Sequence, residues 1–391
     1  MPFMHPRRLS PQLLNRASQY PVVTLTGPRQ SGKTTLCRAL FPHLPYRSLE
    51  SLDHRQFAQE DPRGFLKEVA EGAILDEIQR VPDLISYLQE EVDHDSRPGR
   101  FILTGSENLA VSARVSQSLA GRSAMLTLLP LSQEEHQAFP GAPKGLWTCL
   151  LTGGYPRIPD QGIEPGVWLG DYTRTYVERD VRQLLQISNL RTFTTFLSLV
   201  AGRTGQELNA TSLSGDAGVS VNTIRAWLSV LEASYLITLL PAWHPNHRKQ
   251  HIKSPKVHFL DSGLACHLLG IQTAQQLATH PLRGALFESW VVSEVMKARL
   301  HAGLPARMFH YRQAKGPEVD LLVQSEAGWV LAEVKSGTTV DKSFFRNMEA
   351  LAIQFPGGDP VDQRLLYGGE DSYQRQGVAV TGWSQIQDRP W

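Results

Sequence analysis

Short apolar runs punctuated by polar ends dominate the first third of the chain. Pro21–Thr26, Ala73–Leu75, Arg100–Thr104 and residues 124–129 each read as a short strand of mainly aliphatic residues. Strands of this kind imply an open parallel sheet, with ligands at its carboxyl ends. From Ser132 to Gln186 the pattern turns helical with Gly/Pro interruptions, among them Leu151-Thr152-Gly153-Gly154-Tyr155-Pro156, and predicts a lid or connector. A charged helical run, Asp171–Leu185, carries Arg174, Arg179, Asp180 and Arg182, as solvated or subunit-facing surfaces do. Residues 193–240 then give an apolar helix at Phe193–Gly202, a segment Thr211–Ala217, a turn Gly218-Val219-Ser220 and a helix Val221–Ala233. This is helix-turn-helix spacing, with Ser220 as cap, Ile224, Leu228 and Leu231 inward, and Asn222, Thr223 and Arg225 outward. The apolar run Tyr235–Leu240 and the basic segment His247–Lys256 are expected to form a wing. Further on come a helix at Gly284–Ala298, a strand at Glu318–Val323 and a strand beginning at Trp329 and running into Glu333-Val334-Lys335.

The polar ends of the early strands carry chemistry. After Pro21–Thr26 stands Gly27-Pro28-Arg29-Gln30-Ser31-Gly32-Lys33-Thr34, followed by Thr35, a complete G-x-x-x-x-G-K-[ST] phosphate loop between a strand and a helix. Its glycines let backbone N–H groups point at phosphates, and the helix behind presents its positive end. Lys33 is placed for the β- and γ-phosphates and Thr34 for Mg²⁺. Ala73-Ile74-Leu75-Asp76-Glu77 reads as Walker B: Asp76 for the Mg²⁺ shell, Glu77 for the attacking water. Thr104, Ser106 or Asn108, past the third strand, are the candidates to sense the γ-phosphate; an ordinary polar loop is the alternative.

In this order, with Leu119-Ala120-Gly121-Arg122 before the last strand, these pieces resemble an AAA-type ATPase core over about residues 18–132. The resemblance implies that Arg122, with Arg114 in reserve, acts as a finger in a neighbouring subunit's nucleotide site, and so implies a homo-oligomer, a hexamer among the forms it can take. A surface ion pair is the other reading of Arg122.

The C-terminal third holds a second constellation. Side chains alternate along a strand, so Glu333 and Lys335 share a face, and Asp320 can lie beside Glu333 on a neighbouring strand. Two converging carboxylates suit one or two Mg²⁺ or Mn²⁺ ions, with Lys335 on the nucleophilic water and Glu288 completing the metal shell or orienting Lys335. The helix-strand-strand-strand order with Glu, Asp and Glu-x-Lys resembles the PD-(D/E)xK nuclease superfamily. With the Gly-Gly-Tyr-Pro stretch and Lys253-Ser254-Pro255-Lys256…Asp261-Ser262-Gly263-Leu264, nearly the whole chain resembles prokaryotic AAA-type ATPases that carry a C-terminal domain similar to those nucleases.

Composition narrows this picture only a little. In 391 residues, 39 basic and 38 acidic side chains nearly cancel, so any polyanion site must come from local clustering. Cys37, Cys149 and Cys266 stand far apart, without zinc or disulfide spacing, which suits a reducing cytoplasm. No apolar run approaches a membrane span. The expected fold is α/β: an AAA-type P-loop NTPase core at 1–132, a helical connector at 133–190, a winged helix-turn-helix at 191–260 and a nuclease-like α/β domain at 261–391. The expected function is ATP-dependent DNA processing on duplex or branched DNA, with ATP and Mg²⁺ as cofactors and Mn²⁺ as an alternative at the second site. The alternatives are an ATP-driven switch whose nuclease-like domain is scaffold only, and a protein-recognition role for the middle and C-terminal parts.

Overall fold

The computed structural model describes residues 6–106, 118–176, 189–244, 254–313, 316–355 and 360–391. Asn108, Arg114, Arg179, Asp180, Arg182 and His247–Lys253 lie outside the described residues. The chain divides into two compact units, one of Met1–Leu131 with Ala233–Tyr235 and Leu300–Leu304, the other of Ser132–Glu232, Leu236–Arg299 and Pro305–Trp391.

In the first unit β1 (Val22–Thr26), β2 (Tyr46–Ser48), β3 (Ala73–Asp76), β4 (Phe101–Gly105) and β5 (Ser123–Thr127) form a parallel sheet in the order β2-β3-β4-β1-β5. β1, β3 and β4 are buried at every position because both faces of the sheet are covered there. Val22, Leu75, Phe101 and Leu103 pack with Phe65, Leu84 and Leu88 on one side. Val23, Leu25, Ile74 and Ile102 pack with Leu9, Leu13 and Leu36 on the other. Truncating a fully buried residue such as Leu25 to Ala would cost about 2–5 kcal/mol. The chain leaves β1 for the far edge, works back to β4 and places β5 on the opposite side, so the strand order reverses at β1. Ligands of open α/β sheets lie outside the carboxyl ends of strands at such a reversal, and here that end carries the phosphate loop.

The second unit begins with four short helices, Gln133–Gln137, Leu146–Thr152, Arg157–Gln161 and Pro165–Tyr172. The Gly-Gly-Tyr-Pro stretch is a packed junction. The Asp261 carboxylate accepts hydrogen bonds from the Gly154 and Leu264 N–H groups, both at 2.8 Å. Gly153 has φ +71°, and a Cβ there would lie 2.4 Å from Asp261 Oδ1, so only glycine fits. Tyr155 packs at a tilt against Trp168 and Tyr172, with ring centroids 4.8 and 4.7 Å away, and those two rings stack on each other at 5.0 Å.

Next come the helices Leu190–Ala201, Ala210–Ala217 and Val221–Ala233. The turn before the third uses Gly218 at φ +68°, and Ser220 Oγ accepts from the Thr223 N–H at 3.1 Å. Ile224, Trp227, Leu228 and Leu231 are buried, while Asn222 and Arg225 are exposed. β6 (Gln206–Glu207), β7 (Ile237–Leu240) and β8 (Lys256–Phe259) form an antiparallel sheet in the order β6-β8-β7. One expectation is corrected here: Lys256, expected on a basic wing, is 3% exposed and ion-paired with acids of its own chain.

The C-terminal sheet comprises β9 (Met308–Arg312), β10 (Glu318–Ser325), β11 (Gly328–Lys335), β12 (Val361–Tyr367), β13 (Tyr373–Arg375) and β14 (Val378–Gly382), in the order β13-β14-β12-β11-β10-β9. β9, β10 and β11 run antiparallel, and β12 lies parallel to β11. Phe287, Val291 and Val295 of the helix Arg283–His301 pack with Leu321, Val323, Val330 and Ala332. Met348 and Leu351 of the helix Arg346–Gln354 pack with Val319, Leu322 and Leu331. Val319 and Leu322 fall in the same cluster although they are three positions apart, because the β9–β10 register shifts between them. Asp320 lies within that irregularity, the kind of place where a strand re-aims a side chain. Among the described residues no helix is long and apolar enough to cross a membrane.

Candidate functional site

Two polar constellations stand out, one in each unit. The first is built on the carboxyl ends of β1, β3 and β4. The chain leaves β1 through Gly27, whose φ is +144° and where a Cβ would lie 2.1 Å from Leu128 O. It turns through Gln30 at φ 62° and Gly32 at φ 94° into the helix Lys33–Leu40. Pro28, Arg29 and Ser31 complete the loop, and Thr35 is exposed on the first helical turn. Ser31 Oγ is buried without a hydrogen-bond partner. Arg7, missed in the sequence, clamps the loop from the N-terminal segment by donating to Ser31 O and Leu129 O, both at 2.7 Å.

Lys33 Nζ donates to the Gly27 and Pro28 carbonyls, each at 2.8 Å. Burial pushes this ammonium down to about 8, against the opposing pull of Glu77 and Asp76. Asp76 collects three hydroxyls: Thr34 Oγ1 at 3.0 and 3.1 Å from its two oxygens, Tyr46 Oη at 2.7 Å, and Thr104 Oγ1. Glu77 follows the strand at φ 57°, a left-handed conformation uncommon outside glycine. Its carboxylate accepts from Ser106 Oγ at 3.0 Å and from Gln79 Nε2, and its N–H donates to Thr104 Oγ1 at 3.3 Å. Thr104 and Ser106 therefore touch the two acids. Arg122, 35% exposed in its side chain, forms a two-pronged ion pair with Asp93, Nη2 to Oδ2 being 2.9 Å. That hydrogen bond holds the Asp93 carboxyl below the usual range.

The second constellation gathers residues from β8, the helix Arg283–His301, β10 and β11. Lys335 Nζ lies 2.6 Å from Glu333 Oε1 and 3.7 Å from Asp320 Oδ2. Asp320 Oδ2 also accepts from the Val334 N–H at 2.9 Å, so Asp320 and the Glu-x-Lys segment are joined. Lys256 Nζ lies 3.0 Å from Glu288 Oε1, 3.2 Å from Glu318 Oε1 and 3.7 Å from Asp320 Oδ1. Glu288, read as a partner of the metal or of Lys335, hydrogen-bonds Lys256 instead. Arg312 lies 3.8 Å from Glu318 Oε2 and 3.6 Å from Glu207 Oε2. Glu288, Glu318, Asp320 and Glu333 thus outnumber Lys256, Lys335 and Arg312. Burial first, and then the charge of Asp320, raises the Glu288 and Glu333 carboxyls well above the ordinary range. Burial would lower both lysines, yet the surrounding carboxylates outweigh it and hold them above the ordinary value. Glu333 Oε2 is buried with no hydrogen-bond partner. Among the described residues no group of three or more His, Cys, Asp and Glu side chains stands open as a metal site; in this cluster ammonium groups lie between the acids.

A phosphate loop, a paired acid and a polar third strand on a reversing parallel sheet define an ATPase unit of the AAA, P-loop type, and residues 19–137 match the AAA domain family. Residues 143–275 match a domain of unknown function (DUF8612), and residues 283–386 another (DUF4143). The chain belongs to one family with the uncharacterized proteins Rv2008c of Mycobacterium tuberculosis and Mb2031c of Mycobacterium bovis, each 31% identical over 93% of this chain and 86% of the relative. Among solved structures, the Walker-type ATPase PABY2304 of Pyrococcus abyssi is similar at 17% identity over 68% of this chain and 96% of its own, with a TM-score of 0.43. AMPPCP-bound DnaA from Aquifex aeolicus is similar at 14% identity over 57% and 85%, with a TM-score of 0.30.

Proposed function

We propose that this protein hydrolyses ATP in its first unit and acts on DNA through a divalent-metal site in its second. In the first unit Lys33 turns from the loop carbonyls to the β- and γ-phosphates, and Thr34 and Asp76 hold Mg²⁺. The Gly27 cradle and the partnerless Ser31 Oγ fit a phosphate. Glu77, held by Ser106 and Gln79, orients the attacking water, and Thr104 fixes Asp76. Arg122, released from Asp93, reaches a neighbouring subunit's nucleotide in a homo-oligomer.

In the second unit the donors are hard oxygens, acids exceed bases, and Glu333 Oε2 lacks a partner; that orphaned oxygen carries the metal reading. Asp320 and Glu333 hold the ion, Mg²⁺ or Mn²⁺, which supplies a more acidic water and neutralises charge on a phosphodiester. Lys335, already hydrogen-bonded to Glu333, positions that water. Asn222, Thr223 and Arg225, near the start of the helix Val221–Ala233, contact the DNA backbone or base edges. The free, buried thiols of Cys37, Cys149 and Cys266 suit a reducing cytoplasm.

The test is cleavage of linear, single-stranded and branched DNA with Mg²⁺ and with Mn²⁺, by wild type and by Asp320→Ala, Glu333→Ala and Lys335→Ala. Metal-dependent cleavage that each substitution removes, with ATP hydrolysis retained, supports the nuclease reading. Its absence from wild type leaves the second reading, an ATP-driven binding switch with a scaffold domain. The lysines standing between the acids favour that alternative. Mobility shifts of DNA at several salt concentrations then separate a DNA partner, with its steep salt dependence, from a protein partner.

A further inference from the structure

Lys256 belongs by backbone to one element group and by charge to another. It pairs with Glu207 of β6 and Leu240 of β7 in the sheet beside the helix-turn-helix. Its side chain, however, ends among Glu288 of the long helix and Glu318 and Asp320 of β10. Three carboxylates from two elements thus converge on one buried point, and that point holds an ammonium group. Divalent ions bind oxygen ligands at about 2.0–2.6 Å, so an ion cannot bind these three acids while Nζ stays 3.0–3.7 Å from them. On the other side Lys335 Nζ lies 2.6 Å from Glu333 Oε1 and 3.7 Å from Asp320 Oδ2, but Glu333 Oε2 remains without a partner, and that oxygen is the one open to an ion.

We propose that Lys256 is an internal counter-cation: it neutralises the Glu288–Glu318–Asp320 side of the cluster, confines a divalent ion to the Asp320–Glu333 side and weakens that ion's binding. This rests on reading the cluster as a cation site. Lys256 acts as a positioning residue, setting which carboxylate oxygens face the ion.

The experiment is calorimetric titration of the nucleotide-free full chain with Mn²⁺, counting as cluster binding only the signal that Glu333→Gln removes, together with thermal melting with and without Mn²⁺. Lys256→Met is expected to bind Mn²⁺ at least about tenfold more tightly than wild type, because a unit positive charge is removed a few ångströms from the ion. It is also expected to melt lower without metal and to gain more from added Mn²⁺, since metal replaces the lost partner of the acids. Lys256→Arg is expected to stay near wild type. If Met at this position prevents folding, Lys256→Gln carries the same test. Equal or weaker Mn²⁺ binding by the neutral variant overturns this inference while leaving the proposed metal site intact. No cluster signal in either protein overturns both.

Discussion

Lys33 and Lys256 are both buried lysines, 5% and 3% exposed, yet their surroundings push them in opposite directions. Lys33 has carbonyl oxygens as its hydrogen-bond acceptors, and burial drives its pKa down to about 8. Lys256 is ringed by carboxylates that overcome the same burial penalty and hold it high. The first ammonium is under-compensated and can gain from an incoming polyanion. The second is held charged by the carboxylates that surround it. Site polarity is thus a property of the neighbours rather than of the lysine. In the first unit a buried lysine faces a phosphate loop, and in the second a buried lysine is already matched by acids of its own chain.

Substitutions can break this contrast at either end. Lys33→Ala is expected to reduce ATP turnover to background and to leave the proposed DNA binding by the second unit unchanged; steady-state ATPase rates and DNA mobility shifts check both halves. Arg122→Ala is expected to lower hydrolysis by about 10³–10⁵ with nucleotide affinity kept, as a transition-state contact requires. Mixing it with Glu77→Gln subunits should restore some activity, and no recovery in a preparation shown to exchange subunits would leave only the Asp93 ion pair. Glu77→Gln alone is expected to bind ATP normally and to lose roughly 10²–10⁴ in turnover, measured by nucleotide titration beside the ATPase assay.

The smallest effect concerns pH. His258 is held down to about 3 by burial, then by Lys256 and His310, with Ser289 Oγ at 2.9 Å from Nδ1. An unfolded histidine takes up its proton near 6.5, so between pH 6.5 and 3 the unfolded state binds more protons and this residue's contribution to stability falls with falling pH. Between pH 7 and 5 wild type should therefore lose about 2 kcal/mol more than His258→Asn, read by denaturant unfolding at the two pH values. An equal loss in both would mean that His258 is not held neutral.

The two sites differed in how far they could be read from the chain. The phosphate loop is one contiguous stretch, and Asp76 and Glu77 end a short apolar strand, so local pattern was enough to place them. Arg7 and Tyr46 were not legible, because neither lies in a motif and each reaches the site only through sheet packing. In the second unit Glu333 and Lys335 followed from alternation along one strand. Lys256 did not, because its basic neighbours in sequence suggested a wing, whereas the register of β8 turns it onto the acids. The shift at Asp320 was equally hidden, since Val319, Leu321, Leu322 and Val323 put apolar residues on both faces of the strand and leave no alternation for a bulge to interrupt. The Gly153–Asp261 junction joins two stretches that were visible separately and whose contact exists only in the fold.

Two cation-dependent sites of opposite design on one chain are what we propose. The most direct test is anomalous diffraction from crystals grown with Mn²⁺ and a non-hydrolysable ATP analogue. The account predicts two manganese peaks per chain, one beside Thr34 and Asp76 and one within coordination distance of Asp320 and Glu333 Oε2, with Lys256 still among Glu288 and Glu318. A single peak at the nucleotide, with Lys335 and Lys256 both seated on their acids as before, would contradict it.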